Sequence, residues 1–166
     1  MREDETHSEE SILTLDSDIA ELERLGQFVD EFCKLEGLPQ EICNQLQVAL
    51  EELVINAIKY GGCEPREGAI QLSIRKDGTE VSIVLSDSGV GFNPLNAPSP
   101  DLTKSLLDRP VGGLGIHLVR QLIPSIRYER RGDHNYLYLT KPVIPDAGTV
   151  SPGEETHANG DGDNQN

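Results

Sequence analysis

From Ile12 onward the chain alternates between two rhythms of apolar residues, one of period two and one near 3.6. Ile12, Leu13 and Leu15 suggest a short first strand, and Asp16-Ser17-Asp18 offers N-cap oxygens to the helical segment after it. Ile19, Leu22, Leu25, Val29, Phe32 and Cys33 keep a helical period until Gly37, a natural C-terminal stop. Pro39 suits the first turn of a second helix, with a core stripe of Ile42, Leu46, Ala49, Leu53 and Ala57 that ends at Gly61-Gly62. Period two then returns. Ile70, Leu72 and Ile74 alternate with polar residues, Asp77-Gly78 makes a hairpin turn, and Val81, Ile83 and Leu85 alternate again toward Asp87. Residues 93–111 are Pro-rich and non-periodic, apart from a short helical stretch near Leu102 to Leu107, and are long for a connection, which marks them as a lid. Ile116, Leu118, Val119 and Leu122 predict a helix ended by Pro124, and strands at Ile126 to Arg130 and Asn135 to Thr140 turn at Gly132-Asp133. This order predicts an α+β, two-layer sandwich with helices packed on one face of a mixed, mostly antiparallel sheet.

Composition narrows the picture. The 166 residues suffice for one well-buried domain and not for two of ordinary size. The net charge is −15, but residues 1–10 and 143–166 hold ten of the 29 acids and one base, Arg2, so the middle carries 19 acids against 13 bases. Much of the acidity is thus in two tails, an acidic flexible N-terminus (1–10) and a C-terminal segment (143–166) too polar to offset its ordering entropy and read as disordered. The domain is expected over residues 11–142. With no Trp, few other aromatics and no basic stripe, nucleic acid is a poor partner. No apolar run reaches membrane-spanning length, and Met1 to Glu10 lacks the features of a secretory signal, so a cytoplasmic location is expected. Cys33, Cys43 and Cys63 show no CxxC spacing, and Cys33 and Cys43 read as reduced, buried thiols in helices.

Three short patterns carry the chemistry. In Glu52-Leu-Val-Ile-Asn56-Ala-Ile-Lys59 a carboxylate, an amide and an ammonium project from one helix face. Magnesium takes few ligands from protein when phosphates supply the rest, and the neutral carbonyl of Asn56 suits such a crowded site; Glu52, one turn earlier, is placed to accept a proton near the γ-phosphate, and Lys59 to meet a phosphate as a point charge. Alone, the segment also reads as an ordinary solvated helix face. Asp87-Ser-Gly89-Val-Gly91-Phe92 ends a strand in a carboxylate able to accept from the exocyclic amine of adenine, where guanine presents a carbonyl. Gly89 and Gly91 permit close approach of backbone to a base, though the same text makes a simple turn. Gly112-Gly113-Leu114-Gly115 opens a helix with bare amides, a setting for phosphate; no Gly-Lys-Ser/Thr comes after it, so it is not the Walker pattern.

In this order, these segments resemble the N, G1 and G2 boxes of the GHKL (Bergerat-fold) ATPase superfamily, which includes gyrase, MutL and the histidine kinases. Within it the chain looks most like the single-domain anti-sigma-factor serine/threonine protein kinases, and the likeness runs from about residue 11 to 141. The resemblance implies the GHKL ATPase fold, ATP or ADP with Mg2+ as cofactors, Asn56 as the metal ligand, Asp87 as reader of adenine, Gly113 and Gly115 with Leu114 between them at the phosphates, and Glu52 as catalytic base. It further implies a sigma factor or analogous effector as partner, a STAS-type antagonist protein as phosphoacceptor, and room for a homodimer. Two departures stand out. Many histidine kinases share Asn-Ala-Ile-Lys-Tyr but carry Asn where this chain has Glu52, and no Arg directly precedes the G2 glycines, Arg109 being three residues upstream of Gly112. His117 has no His-Glu pair or dimerisation helix ahead of it and reads as structural or lid-contacting. The rival functions are a catalytically weak, nucleotide-gated protein-binding module and a detached histidine-kinase catalytic domain.

Overall fold

In the computed structural model, which describes residues 9–62, 66–96 and 114–143, the strands β1 (Ser11–Leu15), β2 (Ile70–Asp77), β3 (Glu80–Asp87), β4 (Ser125–Arg131) and β5 (His134–Pro142) form one sheet in the order β1-β2-β3-β5-β4. Every neighbouring pair is antiparallel. The mixed sheet expected from the sequence is thus corrected: two helices between β1 and β2 return the chain reversed, and β5 inserts between β3 and β4, the two strands that run the same way. The alternation read from the sequence sets one inner face. Leu13, Leu72, Leu85, Leu137 and Tyr128 share one rung across the strands, and Ile74, Ile83, Leu139 and Ile126 share another.

Onto this face pack α1 (Leu22–Leu35), α2 (Gln40–Tyr60) and α3 (Leu114–Leu122), which join the strands in one hydrophobic core. Leu25 and Val29 of α1 and Leu46 and Ala49 of α2 are fully buried, with Cys43, Leu50, Leu53 and Val54 broadening the α2 stripe. Each buried Leu contributes about 1.5–3 kcal/mol of transfer free energy. The start of α1 departs from expectation. Ile19–Glu21 forms a 3-10 turn, capped by Asp18 Oδ1 accepting from the Ala20 amide at 2.9 Å, and this turns Ile19 outward to 55% exposure. Ile116 and Val119 of α3 and Ile123 beyond it are buried, whereas Leu118 is half-buried. The Lys141 ammonium donates to the Leu122 carbonyl at 2.7 Å, a cation at a helix C-terminus, and burial holds it below the usual lysine range.

Cys33 and Cys43 are free and buried, and burial, followed by the neighbouring Cys43 and then Asp30, pushes the Cys33 thiol well up. Such a thiol is inert. No helix among the described residues is long and apolar enough to cross a membrane. A 3-10 turn at Pro94–Asn96 begins the stretch expected to be a lid. The remainder of that stretch, with Arg109 and the short helix near 102–107, lies outside the described residues, as do Cys63, Gly112, Gly113, residues 1–8 and residues 144–166.

Candidate functional site

A third rung on the inner face, Leu15-Ile70-Asp87-Asn135-Arg130, turns polar where it reaches the C-terminal end of β3. Beside it opens a pocket between sheet and helix. From α2 it is lined by Leu53, Asn56, Ala57 and Tyr60, positions spaced i, i+3, i+4 and i+7 and so on one helix face. From the strands come Leu85, Asp87, Tyr128, Asn135 and Leu137, and Val90, Phe92 and Pro94 close the remaining side. Phe92 stacks on Tyr60, with ring centroids 4.8 Å apart and planes 25° from parallel. The result is an apolar slot with a few convergent polar atoms, the usual make-up of a small-molecule site.

Asp87 is the acid in its lining. Its Oδ1 accepts from the Gly89 amide at 2.9 Å and from Asn135 Nδ2 at 2.8 Å, while Oδ2 accepts no hydrogen bond from the described residues. Asn135, only 4% exposed, is the buried polar residue among the described residues. It uses its whole bonding capacity: Nδ2 donates to Asp87 Oδ1 and to the Val90 carbonyl at 2.9 Å, and Oδ1 accepts from the Tyr128 hydroxyl and from an Arg130 Nη, each at 2.8 Å. The same Arg130 nitrogen reaches the Gly89 carbonyl at 2.9 Å.

Close packing explains Gly89. A Cβ there would stand 2.3 Å from the Gly61 Cα and 2.5 Å from its carbonyl oxygen, so the loop after β3 meets the end of α2 backbone to backbone, and the Val90 amide donates to the Gly61 carbonyl at 3.1 Å. Gly91 is exposed and lies alongside the Arg130 stem. A Cβ on Gly115 would fall 2.0 Å from Glu52 Oε2, which sets the half-buried Glu52 carboxylate against the first turn of α3. Arg120 of α3 donates to the Leu95 carbonyl and so ties that helix to the 3-10 turn at Pro94–Asn96.

The structure therefore brings Asn56 and Asp87 to one pocket, packs Gly89 against Gly61 of its wall, and sets Glu52 against Gly115. Lys59 is exposed at the last turn of α2, outside the pocket wall. Gly113 lies outside the described residues, and of Leu114 only the helical backbone is described. His117 is half-buried in α3. Sequence reasoning missed Tyr60, Tyr128, Arg130 and Asn135. For Asn135 a signal existed: it precedes Leu137 and Leu139 at inward-facing parity, where a polar side chain needs a buried partner.

The donor set suits a nucleotide-borne cation better than a protein-caged one. Among the described residues no three His, Cys, Asp or Glu side chains gather to hold a metal ion. Asn56 contributes one neutral oxygen at the pocket, which fits magnesium coordinated mainly by phosphates and water.

Residues 15–141 match the family described as Histidine kinase-like ATPase domain. The chain is 32% identical to Serine/threonine-protein kinase BtrW of Bordetella bronchiseptica over 102 residues, 61% of this chain and 72% of that one. Its fold is similar to a crystal structure of the RsbU and RsbW domains of a Mycobacterium tuberculosis protein, with a TM-score of 0.61 and 16% identity over 82% of this chain and 33% of that one. The chain thus spans about a third of that protein, and at this identity the likeness shows the fold alone.

Proposed function

The chain belongs to the histidine kinase-like (GHKL) ATPase family and is a homologue of a serine/threonine kinase, and on that premise we propose that it is an ATP-dependent protein serine/threonine kinase of the anti-sigma-factor type. It phosphorylates a small STAS-type antagonist protein, and nucleotide state controls its hold on a sigma factor or analogous effector. The observation that carries this reading is the position of Glu52: one turn before Asn56 on α2, its carboxylate against the first turn of α3.

The roles follow from this reading. Asp87 Oδ2 accepts from the adenine amine while Leu53, Ala57, Leu85 and Leu137 hold the base in an apolar slot. Gly89 and Gly91 keep the loop close to it. Asn56 with the nucleotide phosphates holds Mg2+, which supplies charge neutralisation at the transferring phosphoryl group. Leu114 and Gly115 at the start of α3, with Gly113 before them in the sequence, offer amides to the phosphates, and Lys59 at the rim adds a positive charge. Glu52 accepts the proton of the substrate hydroxyl as its oxygen bonds to the γ-phosphorus and the bond to the bridging oxygen of ADP breaks.

Incubation with γ-labelled ATP, magnesium and purified small antagonist proteins encoded nearby tests this. Label on a Ser or Thr of one antagonist is the expected result. ATP bound, with no label on any cognate antagonist, would instead make the protein a nucleotide-gated binding module.

A further inference from the structure

We infer that Arg130, acting through Asn135, sets which base the pocket accepts: it is a positioning residue for specificity. The inference rests on the reading of this pocket as an ATP site and adds a determinant remote from the base.

A side-chain amide presents an oxygen at one corner and two N–H groups at the other, and a half-turn exchanges them. Which way Asn135 stands decides whether Asp87 faces a donor or a second acceptor. Its neighbours are unequal judges. The Tyr128 hydroxyl can donate or accept and fits either orientation. The Arg130 guanidinium only donates, and at 2.8 Å it requires the oxygen of Asn135 on its side. The Val90 carbonyl only accepts, and at 2.9 Å it requires an N–H. With the amide so fixed, its remaining N–H goes to Asp87 Oδ1, already bonded to the Gly89 amide. One oxygen of Asp87 is thereby occupied and the other is left as an acceptor at the pocket.

An acceptor at this position pairs with the amine on C6 of adenine and opposes the carbonyl that guanine and hypoxanthine carry there. Arg130 does this without touching the base. It is exposed on β4, and its bond to the Gly89 carbonyl holds the loop that carries the second donor to Asp87. Direct contact between Arg130 and Asp87 would neutralise the carboxylate; the intervening amide transmits polarity and leaves the charge available for a ligand.

Calorimetric titration of the full chain with ATP, GTP and ITP tests this in wild type, Arg130→Met and Arg130→Lys. Because Arg130 is exposed, Arg130→Met keeps most of the stem packing and loses the guanidinium's donors and its charge. The ATP-to-GTP and ATP-to-ITP affinity ratios are expected to fall about tenfold in Arg130→Met, in line with loss of a hydrogen bond to a charged partner, and to recover largely in Arg130→Lys, whose ammonium also only donates. The Asn135 side-chain amide protons should exchange slowly in wild type and faster in Arg130→Met. A ratio unchanged in Arg130→Met, even with all three nucleotides weakened equally, would overturn the inference and leave Arg130 a structural role. A wild type that binds neither ATP nor GTP would overturn the nucleotide reading itself, a separate result.

Discussion

On either side of β5 stands a carboxylate with arginine and tyrosine near it: Asp87 at the end of β3 on the helix-covered face, and Glu129 in β4 on the opposite face. Glu129 has both oxygens taken by cations. Its Oε1 accepts from Arg131 Nε at 2.7 Å, and its Oε2 from Arg127 at 2.9 Å and from a second Arg131 nitrogen at 3.0 Å. Those bonds, Arg131 first and Arg127 next, hold its carboxyl down to about 2. Arg127 in turn lies 4.0 Å over the Tyr138 ring. Asp87 receives only neutral donors, on one oxygen. Two occupied oxygens and two neutralising charges make a fixture of the surface; one occupied oxygen and no cation on it among the described residues leave Asp87 suited to the recognition role proposed for it. The same residue types give either result, depending on whether the arginine touches the acid or an amide between them.

Glu52 extends the contrast to an acid that accepts no hydrogen bond from the described residues, and it carries the largest expected effect. Glu52→Gln should keep ATP affinity while single-turnover phosphoryl transfer to the protein substrate falls by about 10²-fold or more, the contribution of a positioned base. Full transfer activity in that variant would remove Glu52 from the chemistry. Asp87→Asn comes next. It exchanges an acceptor-only group for one that can present a donor to the adenine amine, and should weaken ATP by about 1–3 kcal/mol in calorimetry. An unchanged affinity would erase the distinction drawn between the two carboxylates.

The smallest effect belongs to Glu129. Glu129→Gln should leave ATP affinity and transfer unchanged, because surface ion pairs contribute little and are screened by salt. Its pH dependence has a definite sign. The folded carboxyl sits at about 2 against an ordinary 4.5, so the stabilisation it gives is complete above about 4.5 and is lost as pH falls through 2. Side-chain carboxyl NMR should place its midpoint near 2, and a midpoint near 4.5 would show the two arginine contacts to be absent in solution.

How much of this could be read in advance differs between fold and site. The alternation of Ile70, Leu72 and Ile74 with Val81, Ile83 and Leu85, and the stripe along α2, fixed element types because local periodicity reflects which side is covered. Ile19 fooled that reasoning: it kept the helical period, but the backbone begins with a tighter turn that rotates it outward. Glu52, Asn56 and Asp87 stand out as candidates because each sits in a short local pattern. Arg130 does not, and for Asn135 the strand parity marks only a buried polar side chain, since the partner of each depends on β5 lying beside β3, a pairing between residues 48 apart at Asp87 and Asn135 that no local rhythm reveals.

The insertion of β5 between β3 and β4 also sets a timetable for the growing chain. All three motifs leave the ribosome by Gly115, yet the amide that aligns Asp87 arrives only with Asn135, and the edge of β3 finds its partner only once residues through Pro142 have emerged. During synthesis the chain passes through a stage in which every motif is present and the pocket is not. For that interval the β3 edge is without its β5 partner, while Val81, Ile83 and Leu85 wait for the hairpin that completes their rungs.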